Sequence, residues 1–215
     1  MNTRKRTVLE GAILAAVLAF VTISTAVSFN SCALIQQVTN LTRLQFKLQD
    51  ANHYSLCGVD LTNKHSVSDF GIMDGINVAA AFAANRFPLT FTLNVAAKNP
   101  NQPTTNDKSM STIQLTEFPW RLLIDGKETI SGGIGSPISV PPGGTTATIP
   151  LQVSVDLKQF FAEKGYAELA NLAMAVSGSG TAKLQLKAQP TMSAPIVGSI
   201  RYPNELTIVN TEFRN

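Results

Sequence analysis

The chain has 215 residues and a net charge of +3, of which residues 1–32 supply three basic side chains and one acidic, so the body carries +1. A body so close to neutral has no basic stripe for a phosphate backbone, which argues against a nucleic-acid partner. Some 180 residues remain after the N-terminal segment, enough for one domain.

Arg4, Lys5 and Arg6 precede an apolar run, 11–29, and no charged residue occurs between Glu10 and Arg43. A basic start, an apolar stretch and a small residue before a cysteine is the layout of an export signal. Phe29-Asn30-Ser31-Cys32 resembles the lipobox of bacterial lipoproteins. That resemblance implies that Cys32 becomes a lipidated N-terminus. The alternative is an uncleaved helix: the run would be about 28 Å long at helical rise, close to the roughly 30 Å of a bilayer core. Either way the cationic start stays in the cytoplasm and the body lies beyond the inner membrane. The expected location is the cell envelope, with the periplasmic face of the outer membrane favoured.

Beyond the tether the period is two. Leu44, Phe46 and Leu48 alternate with Gln45, Lys47 and Gln49; Leu89, Phe91, Leu93, Val95 and Ala97 alternate with Thr90, Thr92, Asn94, Ala96 and Lys98. Ile149, Leu151, Val153 and Val155 repeat the pattern, as do Ala182, Leu184, Leu186 and Ala188. Each run buries one face and wets the other, as one-sided antiparallel strands do. Further strands are expected around Cys57–Leu61, Ser111–Leu115, Trp120–Asp125, Glu128–Ser131 and Ile196–Tyr202. Asp125-Gly126 reads as a tight hairpin turn. Pro141-Pro142-Gly143-Gly144 reads as a turn before a strand near Thr146. Short strands at this spacing point to a β-sandwich.

Two segments have a helical pattern. Asp156 is placed to cap a helix, with Gln159 as its capping-box partner and Gly165 as its stop. A second helix, from Tyr166 to about Val176, spaces Leu169, Leu172, Ala173 and Val176 along one face. Residues 77–85 suggest another helical turn.

Leu93-Asn94-Val95-Ala96-Ala97-Lys98-Asn99-Pro100-Asn101 resembles the apolar strand ending in Asn-Pro-Asn of late embryogenesis abundant (LEA) type 2 domains and the related water-stress and hypersensitive-response (WHy) domain. Trp120–Gly126, Ile130–Gly133 and the Pro/Gly turn before Thr148–Val153 follow in the family's order. The resemblance spans about Phe46 to Tyr202. It implies an immunoglobulin- or fibronectin III-like sandwich, a structural role for Asn99, Pro100 and Asn101, and a stress-associated or interaction function without catalytic residues. The helices at 157–176 and Trp120, where the family more often has Tyr or Phe, depart from its pattern.

His53 and His65 stand in no metal-binding spacing, and no cysteine pair has zinc spacing. The Gly-rich stretches 131–136 and 177–180 read as turns, since neither opens a helix as a phosphate cradle must. Asp69, Asp74, Asp107 and Asp125 lie in turn-like segments. Trp120 reads as a core or rim residue. The expectation is thus a mainly β sandwich with a short helical insertion, residues 44–215, behind a targeting segment (1–31) and a tether (32–43). It has no cofactor and no catalysis, and its partners are the membrane, through Cys32 or an N-terminal helix, and envelope proteins. The alternative is a carrier that shelters an apolar ligand beneath the helices.

Overall fold

The computed structural model describes residues 39, 41, 43–102, 112–194 and 198–208. Cys32, the apolar run and Asp107 lie outside them. No helix among the described residues is long and apolar enough to cross a membrane.

The first layer is a four-stranded antiparallel sheet, ordered β2-β1-β3-β8. It comprises β1 (Gln45–Leu56), β2 (Val59–Asp60), β3 (Pro88–Lys98) and β8 (Thr146–Asp156). The β3–β8 register is unbroken from Pro88↔Asp156 to Lys98↔Thr146. Leu89, Phe91, Leu93, Val95 and Ala97 are buried from β3, and Ile149, Leu151, Val153 and Val155 from β8, as alternation requires.

β1 is longer than its sequence pattern suggests. Its pairing with β3 slips between Leu48 and Asp50 and again between Asn52 and Ser55. Each extra residue reverses which parity faces inward. The residues packed on the core therefore run Leu44, Phe46, Leu48, then Ala51, then Tyr54 and Leu56, and no single period covers them. The expected Cys57–Leu61 strand is corrected: Cys57 (φ 51°) and Gly58 (φ 84°) are both left-handed and join Leu56 to its partner Val59. Two such residues make the tight hairpin turn whose twist suits the flanking strands.

The second layer consists of two four-stranded sheets, β12-β9-β5-β6 and β11-β10-β4-β7. Its strands are β4 (Ile113–Glu117), β5 (Trp120–Ile124), β6 (Lys127–Gly132), β7 (Ile138–Val140), β9 (Leu184–Ala188), β10 (Thr191–Ala194), β11 (Gly198–Arg201) and β12 (Leu206–Ile208). The two orders correspond strand for strand: β4 continues into β5, β6 into β7, β9 into β10 and β11 into β12. Each junction contains a proline: Pro119, Pro137, Pro190 and Pro203. Proline offers no ladder donor and restricts φ, so a row of four breaks one sheet into two halves. Gln189 N–H to Pro119 O (3.0 Å) and Tyr202 N–H to Pro190 O (2.9 Å) bridge the break. Phe118 lies at the break, buried, with its ring 5.5 Å from Phe46 of the first layer.

The helices gather at one end of the sandwich. α1 (Ile72–Ala83) begins before the expected turn at 77–85; its outer face is also apolar, so the sequence shows little helical period. α2 (Leu157–Phe160) starts at the expected cap, where the Asp156 carboxylate accepts from Lys158 N–H at 3.0 Å. The second bond of that cap differs from expectation. Asp156 accepts from Phe87 N–H at 2.8 Å, which ties the cap to the chain entering β3. Gly165 opens α3 (Tyr166–Met174) and does not close α2; its N–H donates to the Glu168 carboxylate at 2.8 Å. Leu169, Ala170, Leu172, Ala173 and Met174 of α3 join the same core as the strands. Phe82, Phe87 and Tyr166 meet edge to face.

Leu151 is 1% exposed at the centre of that core. Leu151→Ala is expected to lower unfolding free energy by roughly 2–5 kcal/mol, read from urea titration. A loss below about 0.5 kcal/mol, the scale of surface changes, would place Leu151 outside the core.

Candidate functional site

The Asn-Pro-Asn corner is buried. Asn99 is fully enclosed and Asn101 nearly so. Asn99 Nδ2 donates to Val140 O at 3.2 Å, and its Oδ1 accepts from Asn101 N–H at 3.1 Å. The carbonyls of Asn99 and Asn101 accept from Gly144 N–H (2.9 Å) and Gly143 N–H (2.8 Å). Gly143 and Gly144 have φ of 87° and 78°, which a Cβ would strain. The end of β3 is thereby stitched to the Pro141–Gly144 turn. The Asn99 side chain is committed at both ends to backbone groups.

His53, His65, Asp69, Asp74 and Asp125, the ionisable residues singled out in the sequence that lie among the described ones, collect at the helical end. His53 and His65 line one cleft of about 300 Å³ with Tyr54 and Lys64. His65 also lines a neighbouring cleft of about 420 Å³ with Asp125, Lys164 and Glu168. His53 sits in the second bulge of β1 at φ 55°, and its Nδ1 is 2.5 Å from Asn52 Oδ1. Asp69 and Asp74 serve local structure. Asp69 accepts from the N–H groups of His65 and Ser66, which hold its carboxyl below the usual range. Asp74 is held low by Lys64, 2.9 Å away, and by Gly71 N–H. Asp125 occupies the expected hairpin turn at φ 50°, and its carboxylate accepts from Lys183 N–H at 2.9 Å. Among the described residues no three His, Cys, Asp or Glu side chains form a group that could hold a metal ion.

Two surfaces escaped the sequence pattern. One is the outer face of the first turn of α1, where Ile72, Met73 and Ile76 are 86%, 67% and 54% exposed. The other is a cleft of about 530 Å³ where the edges of the two layers meet. It is bounded by Trp120 of β5, the end of β6, the Gly133–Ser136 loop, Ile138 of β7 and the outward residues of β8. Trp120 is 5% exposed, a core residue at the cleft wall, as its sequence context suggests. Its indole lies so close over Gly132 that a Cβ there would come within 2.7 Å of the ring. The doubled glycine in Ser131-Gly132-Gly133 was the sequence signal for this close approach.

No family model and no curated protein matches this chain. Among solved structures it is similar to a solution structure of an Arabidopsis thaliana protein, with 17% identity over 78% of this chain and 80% of that one, at a TM-score of 0.35. It is likewise similar to a solution structure described as that of a candidate LEA protein, with 17% identity over 96% of this chain and 90% of that one, at a TM-score of 0.36. A crystal structure of an Archaeoglobus fulgidus protein matches at 16% identity over 58% of this chain and 88% of that one, at a TM-score of 0.29.

Asn99→Ala leaves the Val140 carbonyl and the Asn101 N–H short of a buried partner. It is expected to cost roughly 1–3 kcal/mol in urea unfolding. An unchanged midpoint would show that the corner holds without the Asn99 side chain.

Burial, and then the charge of Asp156, pushes the Cys57 thiol up to about 11. Because the folded value is raised, the neutral thiol favours the fold below its ordinary range, and that contribution is lost as pH rises towards the folded value. In a Cys32→Ser chain, iodoacetamide is expected to label Cys57 at about pH 8 roughly 100-fold more slowly than a free thiol, since the thiolate is the reactive form. Labelling as fast as glutathione would contradict the raised value.

Proposed function

We propose that the protein is a membrane-anchored, non-catalytic envelope component whose LEA type 2-like body acts by contact, as a stress-protective or protein-interaction module. The observation that carries the reading is the Asn99–Asn101 corner. The two stretches on which the family resemblance rests, the Asn-Pro-Asn end of β3 and the Pro/Gly turn before β8, are joined there by backbone hydrogen bonds. The family's spacing thus has a physical purpose in this chain. The N-terminal layout supports anchoring, with Cys32 as the lipidated residue and the periplasmic face of the outer membrane as the location. Several acyl chains, each gaining about 0.8 kcal/mol per buried CH₂, would hold the body there.

The carrier reading has less support. The helices that would have roofed a ligand cavity place Leu169, Leu172 and Met174 in the main core. The cleft of about 530 Å³ lies instead at the layer edges, lined by backbone and polar groups as well as apolar ones.

Two measurements test the proposal. Mass spectrometry of the mature N-terminus is expected to find acylated Cys32, and Cys32→Ser to release the chain from the membrane fraction. Full-length protein in detergent is expected to preserve a soluble enzyme through drying better than serum albumin at equal mass. Unchanged membrane retention of Cys32→Ser would favour the uncleaved helix. A reproducible turnover lost on changing His53 or His65 would replace the contact reading with an enzymatic one.

A further inference from the structure

β6, β7 and β8 are each the terminal strand of their sheet. β8 runs beside β6 and β7, yet pairs only with β3 among the described residues. The cleft lies in the gap. One wall is the outward side of β8, with Thr148, Pro150 and Gln152. Pro150 stands opposite Asn94 in an unbroken register. A residue without N–H can occupy such a place only where the backbone N points away from the partner strand. Thr148 and Gln152, two residues to either side, share that direction. Their N–H groups and carbonyls therefore face the open edge, together with the Pro150 carbonyl. The opposite wall brings the Gly132–Gly133 backbone close and supplies Ile130, Ile134 and Ile138.

Two further observations restrict the occupant. No lining side chain is ionisable, so the cleft has no partner for a charged ligand and would strip water from one at a cost. Trp120 keeps its Nε1–H in the interior with no acceptor among the described residues. A buried donor without an acceptor is destabilising by about 1–3 kcal/mol, and the indole that carries it forms part of the cleft wall.

We propose that this cleft binds an uncharged, extended segment of a partner protein, which adds as a strand along the open edge of β8 and sets an apolar side chain among Ile130, Ile134 and Ile138. Strand addition draws affinity from main-chain hydrogen bonds and specificity from alternate side chains. The volume, about 530 Å³, falls within the roughly 300–1,000 Å³ of ordinary ligand pockets. Pro150 limits promiscuous pairing at this edge, leaving donors only to either side of it. The inference rests on the contact reading above and names the chemistry of the partner.

The test uses the full chain in detergent and a capped heptapeptide of alternating threonine and valine. Trp120 is the only tryptophan, so its fluorescence reports the cleft directly. The peptide is expected to give a saturable shift. The same peptide N-methylated on alternate amides, and the Thr148→Pro chain, are each expected to bind about tenfold more weakly, the scale of one or two lost hydrogen bonds. Ile134→Asp is expected to abolish the shift while leaving the Tm within a few degrees. Trp120→Phe, followed by calorimetry, is expected to bind the peptide more weakly yet unfold no earlier than the parent. Equal binding of the methylated peptide would overturn strand addition. Failure of every peptide to bind, with drying protection and membrane retention intact, would overturn the cleft assignment and leave the contact reading standing. Displacement of the peptide's signal by a neutral detergent monomer that binds more tightly would reassign the cleft to a carrier role.

Discussion

The β3–β8 ladder is the constraint on which the rest of the molecule depends. Its register runs without interruption from Pro88↔Asp156 to Lys98↔Thr146, and its inward residues form the floor of the core. Both ends are sealed by side chains that satisfy backbone. At one end Asp156 accepts from Phe87 and Lys158; at the other Asn99 bonds to Val140 and Asn101. A sheet that ends in buried corners must place its remaining donors and acceptors somewhere, and these two residues do so. The helices then grow from the Asp156 end and the Pro/Gly turn from the Asn99 end.

The second layer follows a different rule. Its four strands could run the length of the molecule, but a proline interrupts each at the same level. The layer divides there, and Phe118 lies at the division with its ring against Phe46. The division leaves the end of β6, the Gly133–Pro137 link and the start of β7 standing beside the free edge of β8. The Trp120 cleft is thus a consequence of how the layer is broken.

Buried and exposed chemistry are separated accordingly. The residues with the strongest family likeness, Asn99 to Asn101, are enclosed and structural. At the helical end, Asp69, Asp74 and Asp125 serve caps and turns, while Arg121 pairs with Glu128 and Glu205 on the strands of the second layer. Two of the exposed surfaces are neutral: the cleft, and the apolar side chains Ile72, Met73 and Ile76. Ile72, Met73 and Ile76 are large apolar side chains exposed together on one helix turn, the kind of local patch that scattered surface hydrophobics do not make.

The core strands, the Asp125–Gly126 and Pro141–Gly144 turns and the cap at Asp156 were legible from the residues alone. Each depends on near neighbours: alternation of side chains, left-handed residues, or a carboxylate two residues from an N–H. β1 beyond Gln49, where two bulges reverse the parity of burial, was not legible, nor was α1, whose outer face is as apolar as its inner one. β10 and β12 were likewise illegible, being three or four residues long and held by partners distant in the chain. The roles of Asn99 and Asp156 were half legible: the residue types announced caps and corners, but Val140 and Phe87, the partners that make them matter, lie 41 and 69 residues away. That His53 and His65 share a cleft, and that three sheet edges meet beside Trp120, follows from packing between elements distant in the chain. Pattern along a chain records which face of an element is buried, whereas a site is made by elements that meet, and that meeting is set by packing between layers.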